Sequence, residues 1–427
     1  MIGTHTVTLY PDPTGAGAGV ALSCPTDELT IRHGRDDTDS QPESATVTIE
    51  ISLAPDTEPL PPQLEVGAGI RVTTTLSGVP TPYDRFAGRV TDIAQQWEDA
   101  GTETPDRVTV QIIAAAPLAD VGRRVVGDTP FPQELDGARV TRVMSLAGVT
   151  LDPLFSDPGT VQILGRDIDS RAALEVAQST AESAGGIIWH TRAGLIRYAD
   201  ADHRRGTQPA LFLDACDVLV TPTWRRTTEG LINKVSIGYG ATPEAGEQPR
   251  YVSERADSQT RYGRYELSAT TELAAAADAQ RMGDLLLTRN HDPVWVMSDL
   301  PIAVKDLTLT QTQALLALEV GSLVDLTGLP ASGAAPTSAA LWVEGWTERL
   351  LWGDHEISLS VSGFCRTAPA PRWNDVDPAR TWDTFPGTWD DATCLGPTTN
   401  RGRWDDVAAA QRWDTLPPAL TWDTWPT

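Results

Sequence analysis

Six histidines, two acidic clusters and a run of tryptophans are the residues in this chain able to do chemistry, and their spacing decides which kind. His5, His33, His190, His203, His291 and His355 are scattered. None forms the His-Glu-x-x-His pair that sets two imidazoles on one helix face around zinc, and none stands at zinc-ligand spacing from a cysteine. His190 alternates with Trp189 on a candidate strand and reads as structural or solvent-facing. Asp36-Asp37-Thr38-Asp39 with Glu43 begins like a calcium loop, but Pro42 occupies the position that needs glycine and the terminal glutamate is missing, so it reads as a solvated acidic loop. Asp200-Ala201-Asp202-His203 has carboxylates for a cation, yet suits a polar turn whose carboxylates bond nearby backbone. Neither a nucleophile elbow nor a phosphate-cradling glycine loop occurs, so nothing in these motifs indicates an enzyme.

The tryptophans are more regular. Trp373, Trp382, Trp389, Trp404, Trp413 and Trp422 are each followed by Asp or Asn, and Trp425 closes the series. Half of the chain's 14 tryptophans thus fall in a proline-rich segment with no helical or strand period. Their burial is too small to offset the entropy of ordering about 60 residues, so this segment does not fold alone. Left in water it is an aggregation hazard. These seven residues are therefore the candidate partner-docking set, anchors that dock on a pre-formed surface. Stacking on carbohydrate is the alternative use of the same indoles.

Composition narrows the partners. A net charge of −25 over 427 residues opposes binding to a phosphate backbone, which needs a cationic face. No stretch is apolar enough for a membrane span, and Met1-Ile2-Gly3-Thr4-His5 has no leader pattern, so a soluble protein made in the cytoplasm is expected. Cys24, Cys216, Cys365 and Cys394 lack paired spacing and read as reduced structural thiols. No cofactor or metal is called for.

The elements that would position these residues are mainly β. Leu64-Glu65-Val66-Gly67 and Leu318-Glu319-Val320-Gly321 repeat the same four residues. Each leads into an alternating strand, Ile70–Thr73 and Leu323–Leu326. A glycine-bearing strand follows, Phe86–Ile93 and Val343–Leu350, and then a third strand, Val108–Ile112 and Glu356–Val361. Two related β-barrel modules are expected, at residues 1–116 and 208–366.

Between them, 117–207 reads as a small α/β insert of helix, helix and hairpin. One helix runs from Asp136, its N-cap, to Gly148, burying Val140, Val143, Met144 and Ala147. Another starts at Asp169 or Ser170 and buries Leu174, Ala177, Ala181 and Ala184. The hairpin is Ile187–His190 and Leu195–Tyr198, turning at Gly194. The second module carries Leu231–Ile237 as a strand and an inserted helix near 271–290. Residues 367–427 are the irregular Trp-Asp tail.

In this order the motifs resemble a known family. Val66-Gly67, Phe86-Ala87-Gly88-Arg89-Val90, Ser170–Glu175 leading to Ala184-Gly185-Gly186, Asn233-Lys234-Val235, Arg261–Arg264 and Val343-Glu344-Gly345-Trp346 span residues 60–363. The chain is similar to tail-tip hub (minor tail) proteins of long-tailed phages infecting actinobacteria, and in layout to the baseplate hub of contractile tails. The resemblance implies a structural virion protein: a homotrimer whose six barrels form a pseudo-sixfold ring joining a sixfold tail tube to a threefold tip around the DNA channel. The implied partners are the distal tail protein, other minor tail proteins and the tape measure protein, with DNA passing unbound. The alternative is a surface or receptor-recognition protein that binds host glycan through its Trp-Asp tail.

Overall fold

The computed structural model describes residues 3–363 apart from 13, 16, 23–27, 39, 54–59, 99–106, 204–207, 219–222, 242–247, 298, 330–335 and 352–353. The Trp-Asp tail with its seven tryptophans lies outside the described residues, as do Asp39, Cys24, Cys365 and Cys394. Residues 1–363 form one compact unit.

The first module contains β1 (Thr4–Tyr10), β2 (Val20–Ala21), β3 (Glu28–Gly34), β4 (Glu43–Leu53), β5 (Gly69–Thr75), β6 (Tyr83–Glu98) and β7 (Arg107–Ala115). Period-2 alternation sets their inward faces. Ala45, Val47, Ile49 and Ile51 of β4, Ile70 and Val72 of β5, and Val110, Ile112 and Ala114 of β7 are all buried in one apolar cluster.

The insert supplies α1 (Pro117–Val121), α2 (Asp136–Leu146) and α3 (Ala173–Ala184), then the hairpin β8 (Ile187–His190) and β9 (Ile196–Ala199). The second half of the body adds β10 (Pro209–Asp214), β11 (Lys234–Gly238), β12 (Arg250–Glu254), α4 (Ala256–Tyr262), β13 (Glu266–Ala269), α5 (Ala276–Asn290), β14 (Asp299–Ala303), α6 (Leu309–Ala317), β15 (Leu323–Thr327), β16 (Ala339–Leu351) and β17 (Asp354–Gly363).

Twelve strands join in one sheet, in the order β10-β15-β16-β3-β4-β7-β6-β5-β1-β2, with β17 along β16 and β14 along β17. This sheet wraps two separate apolar cores, one per β-barrel module. β16 belongs to both modules. Ala339–Trp342 pairs with β15, Gly345–Leu351 pairs with β3, and β17 follows its other edge.

Several sequence expectations shift in register. α2 matches its expected span, with Val140, Val143 and Met144 fully buried, and stops at Gly148, φ +66°. Its N-cap, however, is Leu135. The Asp136 carboxylate instead accepts the Val161 N–H at 2.8 Å and the Tyr198 hydroxyl, so it ties the helix to the insert's far side. α3 begins at Ala173, later than expected, because Arg171-Ala172 pairs as a short strand with Val125-Val126. It ends as expected on Gly185 in the left-handed region.

The strand expected at Leu231–Ile237 does not join the large sheet. Its strand-forming part, β11, pairs with β12 and β13. α5, which starts at Ala276 rather than near 271, packs on this three-stranded sheet. Val235, Ile237, Ala279 and Leu287 share a cluster with Val161, Ile163 and Ala184 of the insert, and that burial holds the small sheet there. The hairpin β8–β9 divides its faces: Ile188, Ile196 and Tyr198 enter the insert's core, while Ile187, Trp189 and Ala199 enter the second module's.

Candidate functional site

The repeated Leu-Glu-Val-Gly is a repeated backbone device. Gly67 (φ +95°) and Gly321 (φ +85°) both take the left-handed conformation that glycine adopts without cost. Gly67 N–H donates to Val90 O and Val90 N–H donates back to Ala68 O, at 2.8 and 2.9 Å. Gly321 N–H donates to Val343 O and Val343 N–H to Ser322 O, again at 2.8 and 2.9 Å. Each loop is thereby clipped to the long strand of its own module. The next residue in both strands is a bulge, between Val90 and Asp92 and between Val343 and Gly345. Val90 and Val343 are therefore the equivalent positions. The glycines that sequence matching pairs, Gly88 and Gly345, fall on opposite sides of them.

Gly345 is fixed by crowding where β16 passes from β15 to β3. A Cβ there would lie 2.5 Å from the carbonyl oxygens of His33 and Arg35, and one on Gly34 would lie 2.3 Å from Glu344 O. Only glycine permits this backbone approach.

Charge concentrates at the same crossing. Arg85 of β6 and Glu348 of β16 are both fully buried and form a bidentate pair, Nε to Oε1 at 2.7 Å and Nη2 to Oε2 at 2.6 Å. The Arg85 Nη1 donates to Leu316 O at the end of α6, and His355 Nε2 donates to Glu348 Oε1 at 2.7 Å. Burial alone would raise the Glu348 carboxyl, but the charges and hydrogen bonds of Arg85 and His355 outweigh it and hold it well below the usual carboxylate range. A second buried pair joins Arg35 to Glu344 at 2.7 Å, and Ser362 donates its hydroxyl to the same carboxylate at 2.5 Å.

Aromatic rings fill the space between the pairs. His33 stacks on Trp346 at 4.7 Å and lies 5.3 Å from His190, and the Arg192 guanidinium sits over the Trp346 ring at 4.0 Å. His33 Nε2 donates to Arg85 O, and His190 Nε2 accepts from Ala45 N–H. Burial lowers His190 to about 4. Burial, then the charge of His355, lowers His5 to about 4. Burial, then the neighbouring His190 and Arg192, pushes His33 well below its ordinary value. Burial pulls Arg192 down to about 9, still protonated at neutral pH. His190, one of two readings of which was solvent-facing, is thus a structural residue at 2 % exposure.

These side chains come from both β modules and the insert, and they can do one thing well. Paired charges, each satisfied by directional bonds, fix the orientation of three bodies. The sequence did not single out Arg85, Arg35, Glu348 or Arg192, and it left His33 and Glu344 without a structural role. The one legible signal was Glu348 lying on the same strand parity as buried Trp346 and Leu350.

The acidic clusters resolve into local turns. Asp36 pairs with exposed Arg32, and Asp37 accepts from Ser40. Asp200 accepts from Asp202 N–H, Asp157 accepts from Asp200 N–H and His203 Nδ1, and Asp202 meets Arg281. Among the described residues no three metal-ligating side chains converge. A shallow groove of about 570 Å³ along α2 is lined by Gly137, Ala138, Thr141, Arg142, Ser145, Leu146 and Pro158, a set with no acid–base pair. The candidate docking tryptophans, 373 to 425, lie outside the described residues.

No family model matches the chain, and no curated protein sequence does. Solved structures do. The 43 kDa tail protein of prophage MuSo2 from Shewanella oneidensis matches 84% of this chain and 97% of its own length, with a TM-score of 0.57 at 12% identity. This is the fold of phage tail proteins. A tail protein from Neisseria meningitidis MC58 matches with a TM-score of 0.55 at 10% identity, over 84% of this chain and 96% of its own. Prophage tail protein gp18 from Listeria monocytogenes EGD-e matches at 0.51 and 10%, over 83% and 94%. At such identity the tail-protein likeness is one of architecture.

Proposed function

We propose that this chain is a structural hub of a phage tail tip, not an enzyme. Three copies, each carrying two barrel modules, form a pseudo-sixfold ring that adapts a sixfold tail tube to a threefold tip and surrounds the DNA channel. The observation that carries this reading is the paired backbone clip at Gly67–Val90 and Gly321–Val343, which gives the two modules the same loop-to-strand device within one sheet. A chain with two like faces at fixed orientation is the unit from which three copies present six. Fold likeness to tail proteins supports the setting. The net charge of −25 suits a channel wall along which DNA slides without binding.

In this reading the neighbours are the distal tail protein, other minor tail proteins and the tape measure protein, in a virion of the long-tailed phages of actinobacteria. The Trp-Asp tail is a docking element for such a neighbour. Host glycan is its alternative ligand, supported by the seven indoles alone. The test is light scattering of the full chain and of a chain ending at Gly363. A trimer in both supports the hub. A trimer requiring the tail moves the assembly contacts to the tail, and monomers in both remove the homotrimer.

A further inference from the structure

The two Leu-Glu-Val-Gly loops share their backbone but not their surroundings. In the second, Val320 is 3% exposed and joins an apolar cluster containing Leu76 of the first module and Ile187, Trp189 and Ala199 of the insert. The insert's β8–β9 turn closes over it. Arg192 N–H donates to Glu319 Oε1 at 3.3 Å, and the Arg192 guanidinium donates to Leu316 O at 2.9 Å and to Leu318 O. In the first loop, Val66 is 66% exposed and Glu65 is exposed too. One copy of the motif is covered from within the chain. The other is bare.

We propose that the Glu65-Val66-Gly67 loop is an assembly site occupied by a second copy of this chain. The inference rests on the hub reading and assigns the surface on which it depends. The cover over the second loop is supplied by this chain's own first module and insert. A motif that occurs twice, covered once from inside, is completed head-to-tail by the next chain, and such heterologous contacts close into a ring when the rotation allows. By analogy with the covered loop, the neighbour presents an apolar side chain against Val66 and, beside the Glu65 carboxylate, a hydrogen-bond donor other than Arg192, which its own second loop occupies.

The test compares the solution mass of the full-length chain, across a wide concentration range, with that of Val66→Asp, Glu65→Arg and Leu154→Asp. Leu154 is 82% exposed and controls for loss of apolar surface elsewhere. We expect Val66→Asp and Glu65→Arg to raise the concentration of half-assembly by at least about tenfold, with Leu154→Asp unchanged and all three melting like the parent. A photo-crosslinking residue at position 66 should link to peptides of the same chain. Assembly of both loop variants at the parent's concentration overturns the assignment while leaving the hub intact. Cross-links only to a different tail protein overturn it in favour of a heterotypic contact. A parent chain monomeric throughout overturns both this assignment and the homotrimer. If Val66→Asp misfolds, Glu65→Arg and the cross-link decide.

Discussion

Removing the Glu348 carboxylate should cost more than almost any other single side-chain truncation in the body, because it strands a charge. Glu348→Ala leaves the Arg85 guanidinium with 0% exposure and only the Leu316 carbonyl as a partner, and takes the acceptor from His355. Breaking a buried ion pair from one side costs about 3–5 kcal/mol. Unfolding entropy of about 2.1 cal/mol/K per residue over about 360 residues gives roughly 0.75 kcal/mol/K, so the melting temperature should fall by about 4–7 °C. The double variant Arg85→Met/Glu348→Leu removes both charges and keeps the volume, and should recover most of that loss. Differential scanning calorimetry on the full chain reads both. A single variant within about 1 °C of the parent, or a double variant no better than the single one, would refute the claim that stranded charge sets the cost.

Three further outcomes follow from the same geometry. Gly345→Ala, whose Cβ would meet two carbonyl oxygens at 2.5 Å, should melt several degrees lower, while Gly122→Ala, with its nearest neighbour at 3.6 Å, should not; equal melting of the two contradicts the crossing. His5 and His190 have folded values depressed to about 4 from 6.5, so their stabilising effect is present above 6.5 and is lost as pH falls toward 4. Glu319, Glu182, Asp200 and Asp325 are raised by burial and work in the opposite sense, so the decisive comparison is between parent and variant: the urea midpoint of His190→Gln should fall less from pH 7 to pH 5 than the parent's, and equal slopes would contradict this. Tyr198→Phe removes the hydroxyl that donates to Asp136 and leaves a buried carboxylate with one fewer donor, so the insert should become protease-sensitive by about 1–3 kcal/mol of lost protection; unchanged cleavage rates count against that link.

What the sequence disclosed was what period and local chemistry encode. α2 was readable from Val140, Val143 and Met144, and the two-module plan from the repeated loop and its three strands. The capping box at Thr308 and Gln311 was also local, but the α6 helix behind it was passed over because its apolar residues lack a clear face. The junction was not readable, for a physical reason. Arg85 and Glu348 are 263 residues apart and Arg35 and Glu344 are 309 apart, so each looks like an ordinary surface charge until the sheet brings its partner in. Matching Gly88 to Gly345 failed because glycine marks a place where something comes close, and different strands come close at the two sites. Leu231–Ile237 was legible as a strand of the second half but not its pairing with β12 and β13, because alternation reports a strand without reporting its neighbour.

The measurement that bears most directly on the account is an end-on view of the purified full-length chain by electron microscopy, with two-dimensional class averages computed without imposed symmetry. A hub built from paired modules predicts a threefold ring with six barrel lobes around an open centre, at three times the 45.9 kDa of one chain. Two-lobed single particles, or closed assemblies of any other symmetry, would contradict it.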